Sequence, residues 1–559
     1  MLDKQGADAN KTAPENVLKP QAQDAAKDAS NSKETASSSK GSLSNSAPPQ
    51  RFKHRRLLTA LALAVLLGFM AVFALFCLTK ISVSLFGHIP LSQILFHIRV
   101  GGGEEGITGP MVLVAVKWGG IFLIGSGIVA LLVWFVWRGR SSFESLRLLF
   151  QSIARTLNKP VVLLVVVSSV AVFFMARWIN QELQIASYLS QPESTFVAEN
   201  FAWLDTESKL HQSQKRNLIV LVLESMEQGY GNAEVYGENL IPELLELQKQ
   251  GLSFSGYERT AGSFFTMDGL AAQLLGVPLV RLGFDIHNMN NRFDVLLRRP
   301  PSLFNLLQNL GYNTAWFSGV TEKFTQKGEF FRIHGFSHRF AKEHWLRSGW
   351  PLNTENRGTW DFNDEFLFAR LVDWLTAVDQ SEPFAVLFET VDTHAPQGFT
   401  KPQNVKFGDA RDTFRVTSRQ VGDFIGWARQ QPWWNDTTIV IIGDHPWQDS
   451  PVDFTRNFTQ KSAERQIFNV FLNTAHNIGA GERRQVPGGF SAVDVAPTIL
   501  DAMGIRYEAK MHAGGDAVHD RLGLGISLFS GRYTLVGVYG RDHFWQELNK
   551  RNDFYDELF

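Results

Sequence analysis

Two apolar stretches of this chain stop at residues able to hold a metal ion. Asn217-Leu-Ile-Val-Leu-Val-Leu223 runs directly into Glu224-Ser225, and Thr438-Ile-Val-Ile-Ile-Gly443 into Asp444-His445. A wholly apolar strand ending in a carboxylate leaves a charge at the edge of a sheet, where it needs a partner. A single such acid is usually a helix cap or a surface charge. Two of them, one followed by a histidine, form an oxygen-plus-imidazole set suited to one divalent ion, Mn2+ or Zn2+, with Mg2+ less well matched. Between them lies Gly262-Ser-Phe-Phe-Thr266-Met-Asp268-Gly-Leu. Thr266 falls at the start of an expected helix, where backbone N–H groups and the helix dipole favour an incoming phosphate. A threonine there also serves simply as an N-cap. Its hydroxyl is a weak nucleophile at neutral pH, and metal coordination would activate it. A fourth element is Val391-Asp-Thr-His394-Ala-Pro396. His394 is a candidate to protonate a leaving group or bind substrate, with a purely structural role as the alternative.

These residues need a scaffold. From Arg216 onward short apolar runs alternate with helical stretches. Asn217–Leu223, Asn313–Ser318, Phe384–Phe388, Thr438–Ile442 and Ile467–Leu472 read as buried strands. Pro242–Gln250, Met267–Leu275, Ser302–Asn309, Asp364–Ala377 and Val493–Ala502 read as the helices between them. That alternation predicts an α/β sandwich with a largely parallel central sheet. Ligand sites in such sheets gather at the carboxyl ends of the strands, which is where Glu224 and Asp444 fall.

The rest of the chain has a different character. It holds 559 residues, too many for one compact unit. Its 54 Lys+Arg against 55 Asp+Glu leave a net charge of −1, which argues against a nucleic-acid partner. The single cysteine, Cys77, excludes an intramolecular disulfide or a cysteine-rich metal site. Residues 1–50 are poor in large apolar groups and are expected to be a disordered cytoplasmic tail. Three runs of membrane length follow within 51–179: Leu57–Thr79, Met111–Trp137 and Val161–Ile179. Arg51, Lys53, Arg55 and Arg56 precede the first; Arg138, Arg140, Arg147, Arg155 and Lys159 join the second to the third. The intervening connection carries Glu104 and Glu105. The positive-inside rule then places the N-terminus in the cytoplasm and everything after Ile179 outside. Residues 180–212 read as a connector, and 213–559 as an extracytoplasmic catalytic domain.

As a set, these motifs resemble the alkaline-phosphatase/sulfatase-like envelope phospho-group transferases, which include lipoteichoic acid synthases and phosphoethanolamine transferases. The resemblance is strongest to the phosphoglycerol transferases of periplasmic glucans. It rests on Gly262-x-x-x-Thr266-x-x-Gly269, Gly276-Val-Pro278-Leu, His334-Gly-Phe336, Val391-Asp-Thr-His394-x-Pro-x-Gly398-Phe and Leu522-Gly-Leu-Gly525-x-Ser527-Leu. It implies an alkaline-phosphatase-like sandwich and one metal bound by Glu224, Thr266, Asp444 and His445. It further implies Thr266 as nucleophile, His394 beside the substrate, and Lys327 as a basic substrate contact. The chain departs from the lipoteichoic acid synthases in its three expected spans and in Ser318, where they carry a histidine. Sulfatases use a Cys/Ser-x-Pro-x-Arg motif that is missing near this helix start.

The expected function is therefore transfer of glycerol phosphate from phosphatidylglycerol to an envelope glycan, through a phospho-threonine. The lipid bilayer would be a further partner, and the enzyme would sit in a bacterial inner membrane with its catalytic domain in the periplasm. Competing readings are a phosphoethanolamine transferase acting on lipid A or a glycan, and an inactive membrane scaffold or glycan-binding protein. Trp447, two residues after His445, is expected at the rim of the site, either as a surface for a sugar ring or simply packed under a loop, the commoner fate of a tryptophan. Trp433 and Trp434 are expected to pack at the opposite end of their strand.

Overall fold

The structure, a computed structural model, describes residues 50–86, 91, 94, 109–138, 160–190, 193–204, 210–260, 263, 265–279, 297–353, 355–358, 360–394, 410–447, 465–476, 481–548, 550 and 552–558. It separates into two units, residues 1–60 and 61–559. Of the first, only residues 50–60 are described, and all are helical. Residues 1–49 of the expected tail, Glu104, Glu105, Arg140, Arg147, Arg155, Lys159, Gly262, Pro396 and Gly398 lie outside the described residues.

Three long helices coincide with the expected spans: α1 (Gln50–Phe86), α2 (Gly109–Arg138) and α3 (Pro160–Leu183). Among the described residues one segment, Ala64–Ser84, is long and apolar enough to cross a membrane, while the apolar stretch Val114–Ile128 of α2 is shorter. Phe76 of α1 meets Trp118 of α2 and Trp178 of α3, at ring separations of 6.5 and 4.9 Å. Outward-facing Leu67, Leu123 and Phe174 are exposed.

The second region is built on a six-stranded sheet, counted among the described residues. Its strands are β1 (Asn217–Leu223), β2 (Asn313–Phe317), β3 (His338–Phe340), β4 (Phe384–Glu389), β5 (Thr437–Gly443) and β6 (Asn469–Leu472). Their order is β3-β2-β4-β1-β5-β6, with every pair parallel except β5 and β6. The expected parallel sheet is present, with its antiparallel partner confined to one edge. β1, β4 and β5 are buried on both faces, which is why their sequences are continuous apolar runs rather than alternating ones. Leu218, Val220 and Val222 face one core, with Val440 and Ile442 beside them. Ile219, Leu221 and Leu223 face the other, with Ile439 and Ile441.

Helices cover both faces. They include α4 (Thr266–Leu275), α5 (Leu303–Asn309), α6 (Lys327–Ile333), α7 (Asp364–Ala377), α8 (Ala410–Ala428) and α9 (Val495–Ala502). Predicted and observed bounds agree within a few residues. One refinement is at Val493–Ala502, where a 3-10 turn, Ala492–Asp494, precedes α9 because Ser491 and Asp494 form a capping box.

Candidate active site

Sheet register assembles the site. Leu223 of β1 is level with Gly443 of β5, and Val222 with Glu389 of β4. The next residues, Glu224, Asp444 and Thr390, therefore leave the sheet side by side at its carboxyl edge. Beyond β1 the chain turns at Ser225, which holds a left-handed φ of 53°. That conformation is costly for a residue with a side chain and is retained only where neighbours fix it. Here the Ser225 N–H donates to Asp444 Oδ1 at 2.7 Å, and its hydroxyl donates to Glu224 Oε1 at 2.6 Å.

The two strand-end acids and His445 converge. Their ligand atoms lie within 4.8 Å of one another, and all three residues are buried. His445 Nε2 is 3.5 Å from Glu224 Oε1 and 3.5 Å from Asp444 Oδ2. Its Nδ1 sits 2.9 Å from the Pro446 carbonyl. Donation of Nδ1–H to that carbonyl leaves the Nε2 lone pair facing the carboxylates, the arrangement of a metal-ligating imidazole. Asp444 Oδ2 is buried with no hydrogen-bond donor. An orphaned carboxylate oxygen beside a second carboxylate and an imidazole nitrogen fits one divalent ion.

The electrostatics agree. Burial opposes the charge on Glu224, but the His394 and His445 imidazoles and the Ser225 and Thr266 hydroxyls outweigh it and hold the carboxyl down to about 2. Burial, and then the Glu224 charge, push Asp444 well above the usual carboxylate range. Burial lowers His445, favouring the neutral imidazole that a metal ligand requires. Two adjacent buried carboxylates cannot both ionise cheaply without a cation between them.

Thr266 joins this cluster from another element. It is the first residue of α4, with Phe265 at the N-cap position. Its hydroxyl donates to Glu224 Oε2 at 2.8 Å. The capping role open to it in the sequence is thus not the one it plays. α4 is seated against β5 by Gln273, whose amide donates to the Gly443 carbonyl at 2.9 Å. A Cβ at Gly269 would collide with the Asp444 carbonyl, so glycine permits the helix to approach.

The Val391–His394 turn closes the third side. Thr390 Oγ accepts the Glu224 N–H at 2.9 Å, and the Thr393 hydroxyl donates to the Glu224 carbonyl at 2.6 Å. Asp364, at the start of α7, accepts the N–H groups of Val391 and Asp392 at 2.7 and 3.2 Å. The turn presents His394 beside Trp360, at a ring separation of 4.6 Å. Glu224, Thr266, His394 and Lys327 all line one open cleft, together with Ser318, Val320, Phe324, Trp360, Glu389, Thr390 and Val391.

Every site residue expected from the sequence lies in this region, but Lys327 is not alone. Its Nζ pairs with Glu389 Oε2 at 2.6 Å, and both side chains are almost fully buried. Sequence reasoning missed Glu389, Ser225 and Asp364. Glu389 carried the same signal as Glu224 and Asp444, an acid closing an apolar strand.

Trp447 corrects an expectation. It is 4% exposed, packs against Phe414 at 5.6 Å and donates its backbone N–H to Glu227 Oε1 at 2.7 Å. Arg465 clamps the other side of Glu227 at 2.8 Å. Trp447 therefore belongs to the core beneath the site, not to its rim. Trp433 is buried as expected. Several motifs behind the resemblance are also structural. Phe336 stacks on Phe304 at 4.2 Å, and the Ser527 hydroxyl donates to Asp501 at 2.7 Å.

The family model described as Sulfatase matches residues 216–505. A protein named phosphoglycerol transferase I from Escherichia coli is 29% identical over 342 residues, 59% of this chain and 41% of that protein. Its namesake from Shigella flexneri is 27% identical over the same shares. The chain thus spans about two fifths of the length of these curated relatives. Among solved structures, the lipoteichoic acid synthase LtaP from Listeria monocytogenes aligns with 15% identity and a TM-score of 0.43, over 63% of this chain and 96% of that one.

Proposed function

The chain belongs to the sulfatase family, and on that premise we propose that it is a membrane-anchored phosphoglycerol transferase. It would move glycerol phosphate from phosphatidylglycerol to an envelope glycan. The observation that carries this reading is the Thr266 hydroxyl held 2.8 Å from Glu224 Oε2, at the edge of the Glu224–Asp444–His445 cluster and inside the cleft. The name shared by the curated relatives supports glycerol phosphate as the group moved.

A divalent ion, Mn2+ or Zn2+, held by Glu224, Thr266, Asp444 and His445 would stabilise the threonine alkoxide and the phosphate charge. Glu224 orients the Thr266 oxygen through its hydrogen bond. Once its proton has passed to water, that oxygen attacks phosphorus, a new O–P bond forms, and the P–O bond to diacylglycerol breaks. His394 supplies the proton that the departing diacylglycerol oxygen takes up. Lys327, its charge countered by Glu389, presents an ammonium donor on the cleft wall. In the second half-reaction an acceptor hydroxyl gives its proton to His394, attacks the same phosphorus and frees Thr266. The helices α1, α2 and α3 would anchor the domain in a bacterial inner membrane with the catalytic domain in the periplasm. The lipid donor cannot diffuse into water, so the enzyme must stay beside it.

The test supplies purified protein with vesicles of defined phospholipid and with each metal in turn. Glycerol phosphate on Thr266, detected by mass spectrometry, is the expected result. Diacylglycerol release without a modified threonine would remove the covalent route.

A further inference from the structure

We infer that Glu389, paired with Lys327, selects the headgroup, favouring a neutral vicinal diol over an ammonium. This rests on the phospholipid-donor reading above and names the residue that reads the donor.

The pair is built as a fixture of the cleft wall. Glu389 ends β4, and Trp316 of β2 donates its indole N–H to Glu389 Oε1 at 2.7 Å. Lys327 Nζ donates to Oε2 at 2.6 Å. Both residues line the cleft shared with Thr266 and Glu224, and both are at most 4% exposed. Lys327 is delivered by Thr325 and Gln326, which hold left-handed φ values of 48° and 57°. Two consecutive strained residues that place one buried lysine mark a position the fold maintains at a cost. Ser318 follows Phe317, which is level with Phe388, so its hydroxyl-bearing residue neighbours Glu389 on the same wall.

The chemistry then discriminates. An ammonium has three donors and a carboxylate about four acceptor sites. One lysine donor and one site on each Glu389 oxygen are occupied. What remains is a donor next to an acceptor. A glycerol hydroxyl accepts from one and donates to the other, so a vicinal diol satisfies both. An aminoethyl headgroup offers only donors and sets a second cation beside Lys327. A cleft wall that hydrogen-bonds a substrate hydroxyl rejects an analogue lacking it, because the buried groups are left unpaired.

The experiment measures kcat/KM for headgroup release from phosphatidylglycerol and from phosphatidylethanolamine vesicles, using the full chain. The unaltered protein should prefer phosphatidylglycerol. Glu389→Gln keeps the Trp316 bond but removes the charge, and should lower phosphatidylglycerol turnover about 10-fold or more while changing the other lipid less. Lys327→Met slows both lipids, yet leaves Glu389 without its cation and should tilt the ratio toward the ammonium headgroup. Glu389→Asp, which retains the charge, should retain the preference and guards against misfolding of the other variants. Equal proportional loss on both lipids in Glu389→Gln and Lys327→Met would overturn the assignment and leave the pair structural. No release from either lipid by the unaltered protein would instead remove the donor reading itself.

Discussion

Thr266 Oγ donates to Glu224 Oε2 at 2.8 Å, although one residue opens a helix and the other closes a strand. The bond joins the proposed nucleophile to a proposed metal ligand before any substrate arrives. Such preorganisation means the reacting oxygen need not be reoriented during turnover. It also ties the position of α4 to the acidic cluster, since Gln273 and Gly269 of α4 both bear on the Asp444 carbonyl.

Thr266→Ala should abolish headgroup release while the domain stays folded. The variant loses one hydrogen bond to a charged group and no helix cap, a destabilisation of roughly 1–3 kcal/mol. Circular dichroism and a lipid-release assay on the same sample check this, and near-normal release in the variant would exclude Thr266 as nucleophile.

Asp444→Asn should behave oppositely with and without metal. Burial and the Glu224 charge disfavour the ionised acid, so in chelator-treated protein the neutral amide should match or exceed the wild-type melting temperature. With metal present it should melt lower, because an amide is the poorer ligand. Glu224→Gln should also lower metal occupancy, measured by plasma emission; stoichiometric metal in both variants would discard the proposed ligands.

Acid should release the metal and then weaken the fold. Glu224 is held at about 2 against a usual 4.5, so its stabilising contribution is complete above the unfolded value and is lost as pH falls from 4.5 toward 2. Asp444 is shifted upward, so metal must displace a proton from it, and affinity should fall as pH is lowered well before the Glu224 window is reached. Metal titrations across pH read this directly, and an affinity that rises on acidification would contradict it.

Trp447→Ala should damage stability rather than acceptor choice. Removing a buried tryptophan costs about 3–5 kcal/mol, and the effect should fall equally on diacylglycerol release and on transfer to glycan. Selective loss of the second step would return Trp447 to the acceptor site.

The strand-end acids were legible in the sequence because a parallel strand buried on both faces shows as an unbroken apolar run, and any charge closing it stands out. Glu224 and Asp444 were found this way. Glu389 had the same signature, but its partner was not readable: Lys327 lies 62 residues away and reaches it through a strained loop. The reversed role of Trp447 has a similar origin. Proximity to His445 in the chain gave a position near the site but not a direction, and Phe414 and Glu227, which draw it inward, come from remote segments.

The in-register strands carry a consequence for how the molecule is made. Ser225 and Asp444, bonded at the centre of the cluster, are 219 residues apart in sequence. Closing so large a loop is entropically slow, and contacts of that separation form late. The metal therefore cannot template the fold as it does in short fingers with closely spaced ligands. An ion bound there would find its site only after β1, β4 and β5 have paired, so a half-made chain would hold no complete cluster.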